Sequence, residues 1–396
     1  MLRNDWDIAI VGAGPAGAWA AYCLAQRGAR VALIDPSHPR EKACGGGVTG
    51  RALALVARAL SEWPLPAAVI RSARFIDSRA GRSAIVPLVA HGVDPSSALI
   101  VASRSDFDGR LLAAARAAGA TLVEARVTGI GPHSGGAAIE TSAGRRSARF
   151  IVGADGANSL VRRRLARAFR RDQLTIATGY FADGVTSDEI VIELLSDPPG
   201  YIWSFPRPSH LAIGICTQAD GPATAGVLRD QTARWIQSMH IADGAPLRSY
   251  SWPIPSLCAN DLRRLEVSGP GWALVGDAAG LVDPITREGI FFALRSAEIL
   301  ADALASDAPD PLARYTDRIR DEITPELARA ARLKSGFYQP RFVGHLFDAL
   351  TRSRAIRDVM ADLVAGKVTY EQLKWRVART MEIGLAWSLL GNLLSG

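Results

Sequence analysis

At 396 residues, with 48% hydrophobic and 21% charged residues, the chain has the make-up of a folded enzyme long enough for a cofactor domain and at least one further lobe, which excludes a disordered or fibrous protein. The net charge of +7 comes from 46 basic residues, of which only Lys42, Lys334, Lys367 and Lys374 are lysines. That balance favours anionic ligands such as diphosphates, and with no basic stripe interleaved with aromatics it does not point to nucleic acid.

Cys23, Cys44, Cys216 and Cys258 are scattered with no CxxC or Cys/His spacing, so neither a disulfide framework nor a metal site is expected. The first residues run straight into a strand without the regions of a signal peptide, which predicts cytoplasmic residence. Asp, Glu or Arg interrupts every apolar run too early for a bilayer span, so any membrane contact would be peripheral.

In chain order, residues 5–12 read as a buried strand ending in glycine, residues 15–27 as an alanine-rich helix stopped by Gly28, and residues 31–34 as a second strand closing on Asp35. Together they make one β-α-β unit. After a glycine-rich loop at 44–47, residues 49–60 are helix-like and 69–99 alternate in short β-like runs. Helix resumes at Ser105, where Ser-Asp-Phe-Asp resembles a capping box. Strands are expected over 121–130, 137–141 and 149–152, then a mostly β stretch from 172 to 255 punctuated by Gly, Pro and Asp. A strand at 272–276 enters a helix, and beyond Asp310 the chain is helical and ends in an apolar tail over 381–395.

The expected fold is α/β, α+β overall: a Rossmann-like domain with an antiparallel β-sheet substrate domain and a helical C-terminal region. The expected division assigns 1–68, 100–171 and 260–310 to the cofactor domain, 69–99 and 172–259 to the substrate domain, and 311–396 to the helical region.

Three segments carry chemistry. In Gly12-Ala-Gly14-Pro-Ala16-Gly17 the first glycine permits a tight turn, Gly14 lets a pyrophosphate approach the backbone, and Gly17 lets helix and sheet pack closely. Unpaired helix N-H groups face the anion, and Asp35 at the end of the next strand is placed to accept from ribose hydroxyls. A second strand-to-helix junction, Gly276-Asp277-Ala-Ala-Gly280, is followed by Pro284 and Arg287-Glu288-Gly289-Ile290. It suits the other half of a flavin, with Asp277 on sugar or ribityl hydroxyls. The third, Val152-Gly-Ala-Asp155-Gly156, offers Asp155 either to a dinucleotide or to its own turn.

These three segments resemble the FAD fingerprints of the flavin monooxygenase and reductase superfamily. Lys42-Ala-Cys44-Gly45-Gly46-Gly47, Tyr201-Ile-Trp203-Ser-Phe205-Pro206 and the Glu-Gly-Ile segment after Pro284 are most similar to the geranylgeranyl reductase family. The resemblance spans about the first 310 residues and implies FAD at the junction of two domains. It implies Arg104 on the FAD, the Cys44 loop beside the isoalloxazine, and Cys44 as a proton donor or flavin-tuning group, with a buried structural cysteine as the alternative. Tyr201, Trp203 and Phe205 alternate on one strand face and form either a wall for an apolar substrate or simply core. Arg287 departs from the pattern, standing where many relatives carry glycine.

The resemblance implies a reductase of isoprenoid or prenylated-lipid double bonds, with hydride from the reduced flavin to one alkene carbon and a proton from Cys44 or water to the other. No second GxGxxG unit is present, so NAD(P)H would dock transiently or another carrier would supply electrons. The apolar tail is either a packed helix or a segment lying on a membrane surface. A monooxygenase of aromatic or polyketide-like substrates shares all three fingerprints; a flavin halogenase and a non-catalytic flavoprotein are more distant alternatives.

Overall fold

The computed structural model describes residues 5–61, 65–88, 99–133 and 135–380; part of the expected β stretch at 69–99 and all of the tail at 381–395 lie outside them. The strand Trp6–Val11 is central in an eight-stranded sheet. It pairs in parallel with Val31–Ile34 on one side and Gly144–Gly153 on the other. Thr121–Val123 and Trp272–Leu274 extend the parallel set outward. The chain therefore completes this sheet with residues far apart in sequence.

The connecting helix Pro15–Ala25 buries nine of its eleven residues. Alanines and Gly17 dominate it because it packs against the helices Arg104–Ala117 and Ile290–Leu304 as well as the sheet, and small side chains permit that close approach. A Cβ on Gly17 would stand 1.8 Å from the Gly12 carbonyl oxygen. Gly276 has a related task, since a Cβ there would meet Ala16 at 2.9 Å.

The single strand expected over 121–130 is two, Thr121–Val123 and Val127–His133. The break redirects the chain from the parallel sheet into a meander with Gly136–Thr141 and the first half of Gly144–Gly153. The helix expected from Ser105 begins at Arg104, and Ser103 makes no side-chain cap. The Ser103 hydroxyl donates instead to Glu41, which also accepts from Ser105 N at 3.1 Å.

A second, seven-stranded sheet has the order Leu247–Pro255, Leu174–Asp183, His210–Gln218, Pro199–Pro206, Glu189–Ser196, Ser72–Asp77, Arg82–Pro87. It is antiparallel except where Ser72–Asp77 runs parallel to Glu189–Ser196. The helix Ala225–Met239 interrupts what the sequence presents as continuous β structure. Its buried Leu228, Thr232, Trp235 and Ile236 keep helical spacing and cover Ile202, Ile213 and Ile215 on one face of the sheet.

Beyond residue 310 the chain is helical, through Pro311–Glu322, Thr324–Phe337, Pro340–Arg352, Arg354–Val364 and Tyr370–Ala378. Phe342, Leu346, Phe347 and Leu350 pack against Ile70, Phe75 and Val86, each burial contributing about 1.5–3 kcal/mol. No helix among the described residues is long and apolar enough to cross a membrane.

Candidate cofactor and substrate site

A cavity of about 940 Å³ runs from the C-terminal ends of the parallel strands, at Val11, Ile34 and Ala154, to the uncovered face of the second sheet and the C-terminal helices. The glycine motif forms one end. Gly12 adopts φ 101° and a Cβ there would lie 2.4 Å from the Ala154 carbonyl oxygen, so the turn admits only glycine. Above Gly14 the nearest atom is His38 Nε2 at 3.8 Å, leaving its backbone open to the cavity. The helix that Gly14 begins has no side-chain cap, so its first N-H groups remain for an anion. Arg40, Lys42 and Arg163 line the same cavity.

Two buried indole N-H groups, of Trp203 and Trp252, have no hydrogen-bond partner although both rings line the cavity. Arg40 and Lys42 stand over the Trp252 ring at 5.4 and 6.0 Å from its centre. Open glycine backbone, an uncapped helix, cations and orphaned donors suit a large ligand bearing a pyrophosphate and acceptor oxygens. FAD fits that description.

Other expected residues have different work. Asp35 lines the cavity, but its carboxylate accepts from Ala13 N at 3.0 Å, His38 Nδ1 at 2.9 Å, and the backbone N-H groups of Ser37 and His38 at 2.9 Å each. Four protein donors thus already engage the carboxylate that the sequence offers to a ribose. Burial opposes its ionisation, but the bonds from His38, Ala13 and Ser37 outweigh it and hold the pKa well below the usual carboxylate range.

His38 also approaches Asp108, Nε2 to Oδ2 at 3.5 Å. Burial works against its charge, yet Asp108 and Asp35 together raise its pKa above the ordinary imidazole value. Asp108 in turn holds Arg104 in a two-point pair at 2.9 and 2.8 Å. Arg104 borders the cavity, but its guanidinium is 4% exposed and engaged with Asp108 and the Cys44 side chain. The guanidinium implied on the FAD thus also braces the cysteine loop.

Cys44 lines the cavity, with Sγ accepting from Gly46 N at 3.3 Å. The neighbouring glycines line it too, but protein neighbours rather than a ligand demand them. A Cβ on Gly45 would touch the Phe205 ring at 3.1 Å, one on Gly46 would lie 2.4 Å from the Ala102 oxygen, and one on Gly47 would meet Phe205 at 3.4 Å. Buried Arg207 donates to the Cys44 carbonyl at 2.5 Å and pairs with Glu41, fixing the loop from behind.

Asp155 takes the turn reading: it accepts from Ser159 Oγ at 2.5 Å and from Leu160 N at 2.6 Å. Burial raises its pKa despite those bonds. Asp277 lines the cavity with Lys42 Nζ 3.5 Å away. The junction around it is a 3₁₀ turn over Gly276–Ala279, not the start of a helix; the helix begins only at Ile290. Gly17, Gly276 and Gly280 pack the fold outside the cavity, whereas Ala16, Gly289 and Ile290 border it.

Tyr201, Trp203 and Phe205 all line the cavity's apolar part, joined by Ala177, Ile254, Phe337, Met360 and Leu363. Sequence reasoning missed the last three, on helices whose packing partner is not readable locally. It also missed Arg51, which pairs with Glu288 and with Glu326 at 3.0 Å and so pins the loop before Gly289. His38 had a signal: Asp-Pro-Ser-His after the second strand is the composition of an Asp-led turn.

Residues 5–310 match the family described as an FAD binding domain. Menaquinone reductase from Mycolicibacterium smegmatis is 28% identical, with 96% of each chain covered. Geranylgeranyl diphosphate reductase from Rhodobacter capsulatus is 30% identical over 75% of this chain and 74% of its own. A geranylgeranyl bacteriochlorophyll reductase-like structure from Thermoplasma acidophilum superposes with a TM-score of 0.77 at 22% identity, covering 95% and 99% of the two chains. The flavin-dependent brominase Bmp2 shares the fold at TM-score 0.67 and 20% identity, with 94% and 98% covered. The cleft is that of an FAD-dependent oxidoreductase. The chain belongs to the geranylgeranyl reductase family of these flavoproteins.

Proposed function

We propose that the protein reduces carbon-carbon double bonds of an isoprenoid or prenylated lipid. FAD supplies the hydride when bound and reduced. Segments 1–68, 100–171 and 260–310 build its cleft, with Gly12, Gly14 and Ala16 at the pyrophosphate and Asp277, Gly289 and Ile290 towards the flavin. The described residues of segments 69–99 and 172–259 supply the sheet that receives the substrate. The observation that carries the reading is that Cys44 shares one cavity with the glycine-lined cleft and the apolar aromatic face.

There a thiol can protonate an alkene carbon. Tyr201, Trp203 and Phe205 exclude water and align the chain. The menaquinone and geranylgeranyl diphosphate reductases named above support an isoprenoid class of substrate. NAD(P)H docking transiently, or another electron carrier, reduces the flavin.

The test is anaerobic photoreduction of the FAD-loaded protein followed by mixing with geranylgeranyl compounds, recording flavin absorbance and product mass. Reoxidation without oxygen, with two mass units gained per reduced bond, is expected. Reoxidation by oxygen alone would favour a monooxygenase. Cys44→Ser should keep its flavin and lose on the order of 10²-fold or more in the reoxidation rate, the usual contribution of one positioned acid; an unchanged rate removes Cys44 from proton transfer.

A further inference from the structure

Arg287 lines the cavity from a left-handed backbone position, φ 61°, a conformation that costs a side chain energy and persists only where surroundings enforce it. Two tyrosines do so here. Tyr201 OH donates to the Thr286 carbonyl at 3.1 Å and Tyr338 OH to that of Ile285 at 3.2 Å. Arg287 Nη1 donates to Ser256 Oγ at 2.7 Å, and Lys334 Nζ donates to the same oxygen at 2.9 Å and to Gln218 Oε1 at 2.7 Å. One buried hydroxyl thus holds two cations side by side.

Neither cation has a carboxylate within ion-pair distance among the described residues: Asp220 acts on Lys334 only through space, and the groups facing Arg287 are Cys216, Tyr338 and Tyr201. Burial keeps that thiol and both phenols in their neutral forms by raising their pKa values. Arg287 Nε is buried with no hydrogen-bond partner at all. Arg51, Arg104 and Arg207, which border or brace the same cavity, each meet a carboxylate. Lys334 shows the strain: burial, then the Arg287 charge, push its pKa down to about 7. An arginine cannot relieve itself by losing its proton.

We propose that Arg287, held by Ser256 and backed by Lys334, recognises an anionic terminus, a phosphate or a carboxylate, of an amphiphilic substrate whose apolar chain lies along the aromatic face. The assignment rests on the isoprenoid reading above and narrows it. A neutral head group would accept a hydrogen bond yet leave the Arg287 charge unbalanced, whereas an anion neutralises it, matches the guanidinium fork and favours the protonated form of Lys334 behind it.

The test is equilibrium titration of the FAD-loaded protein with geranylgeranyl phosphate, geranylgeranoic acid and geranylgeraniol, read by flavin absorbance and tryptophan fluorescence. At least one of the two anions should bind about tenfold or more tightly than the alcohol, and which one does so separates phosphate from carboxylate. Arg287→Gln and Arg287→Gly should abolish the preference, through a loss of affinity for the anion that exceeds any change for the alcohol. Arg287→Lys should keep part of it, and the glycine variant also relieves the left-handed strain, so bound flavin per chain serves as the check on folding. Equal affinity for all three ligands, or a preference that survives both neutral variants, overturns the proposal alone. If none of the three binds, the isoprenoid reading falls with it.

Discussion

Gly14 and Gly17 lie three residues apart in one motif and answer to opposite constraints. Over Gly14 there is open cavity, so Gly14→Val should fold with a melting temperature near wild type and lose its flavin by on the order of tenfold or more, because the side chain fills the space of the pyrophosphate. Gly17→Val should fail differently, with low soluble yield, since its Cβ would collide with backbone. Flavin absorbance per chain, set beside thermal unfolding, separates the two. His38 gives a second residue-scale prediction. Its pKa is raised by Asp108 and Asp35, so its stabilising effect is complete below the ordinary imidazole pKa of about 6.5 and declines as pH rises through the raised value. His38→Asn should destabilise by roughly 2–3 kcal/mol in mild acid, and the gap in melting temperature should narrow towards alkaline pH. A gap independent of pH would mean that the imidazole is held neutral.

Loops that carry the site are braced by elements remote in sequence. Glu288, just before Gly289, accepts from Thr49 Oγ1 at 2.7 Å and pairs with Arg51 on the helix Gly50–Leu60. Arg51 also reaches Glu326 on the helix Thr324–Phe337, so one guanidinium ties three elements together. Arg51→Met leaves two partly buried carboxylates unbalanced and should cost about 3–5 kcal/mol. Thermal unfolding would show it, and flavin affinity should fall as the Gly289 loop loosens. The Cys44 loop is braced similarly by Arg207 and Phe205 from the second sheet. Part of this was legible: alternation named Tyr201, Trp203 and Phe205 as one face, and the glycine motif placed the first strand and helix. The braces were not, because Arg51 and Glu288 stand 237 positions apart and nothing in either local sequence names the other.

Across the whole molecule, the cavity is closed by three regions: the parallel sheet's strand ends, the aromatic face of the second sheet, and the C-terminal helices through Phe337, Met360 and Leu363. On the proposed reading, those helices would set the length of chain the apolar end accepts. Leu363→Trp should reduce turnover of a geranylgeranyl substrate by about tenfold or more while sparing a geranyl analogue, since added volume in a packed pocket is accommodated poorly. Equal loss for both lengths would place Leu363 away from the chain's end. The brominase named above shares this architecture, and a shared fold does not by itself choose a reaction.

The sequence by itself determined the β-α-β unit, the class of cofactor and the family, because short-range constraints write themselves into contiguous residues: a tight turn needs Gly12, a close helix needs Gly17, and a strand alternates. Only the tertiary structure decided the uses of Asp35, Arg104 and Asp155. Each carries the chemistry expected of a ligand-binding group, but its charge is committed to protein partners, and which partners those are depends on contacts such as Asp35 with Ala13, 22 positions away, and Arg104 with Cys44. The same holds for Arg287 and Lys334, which become a cationic pair only because Ser256 stands between them. Hydrogen bonding and desolvation are properties of neighbours in space, and a linear pattern records them only when those neighbours are also neighbours in the chain.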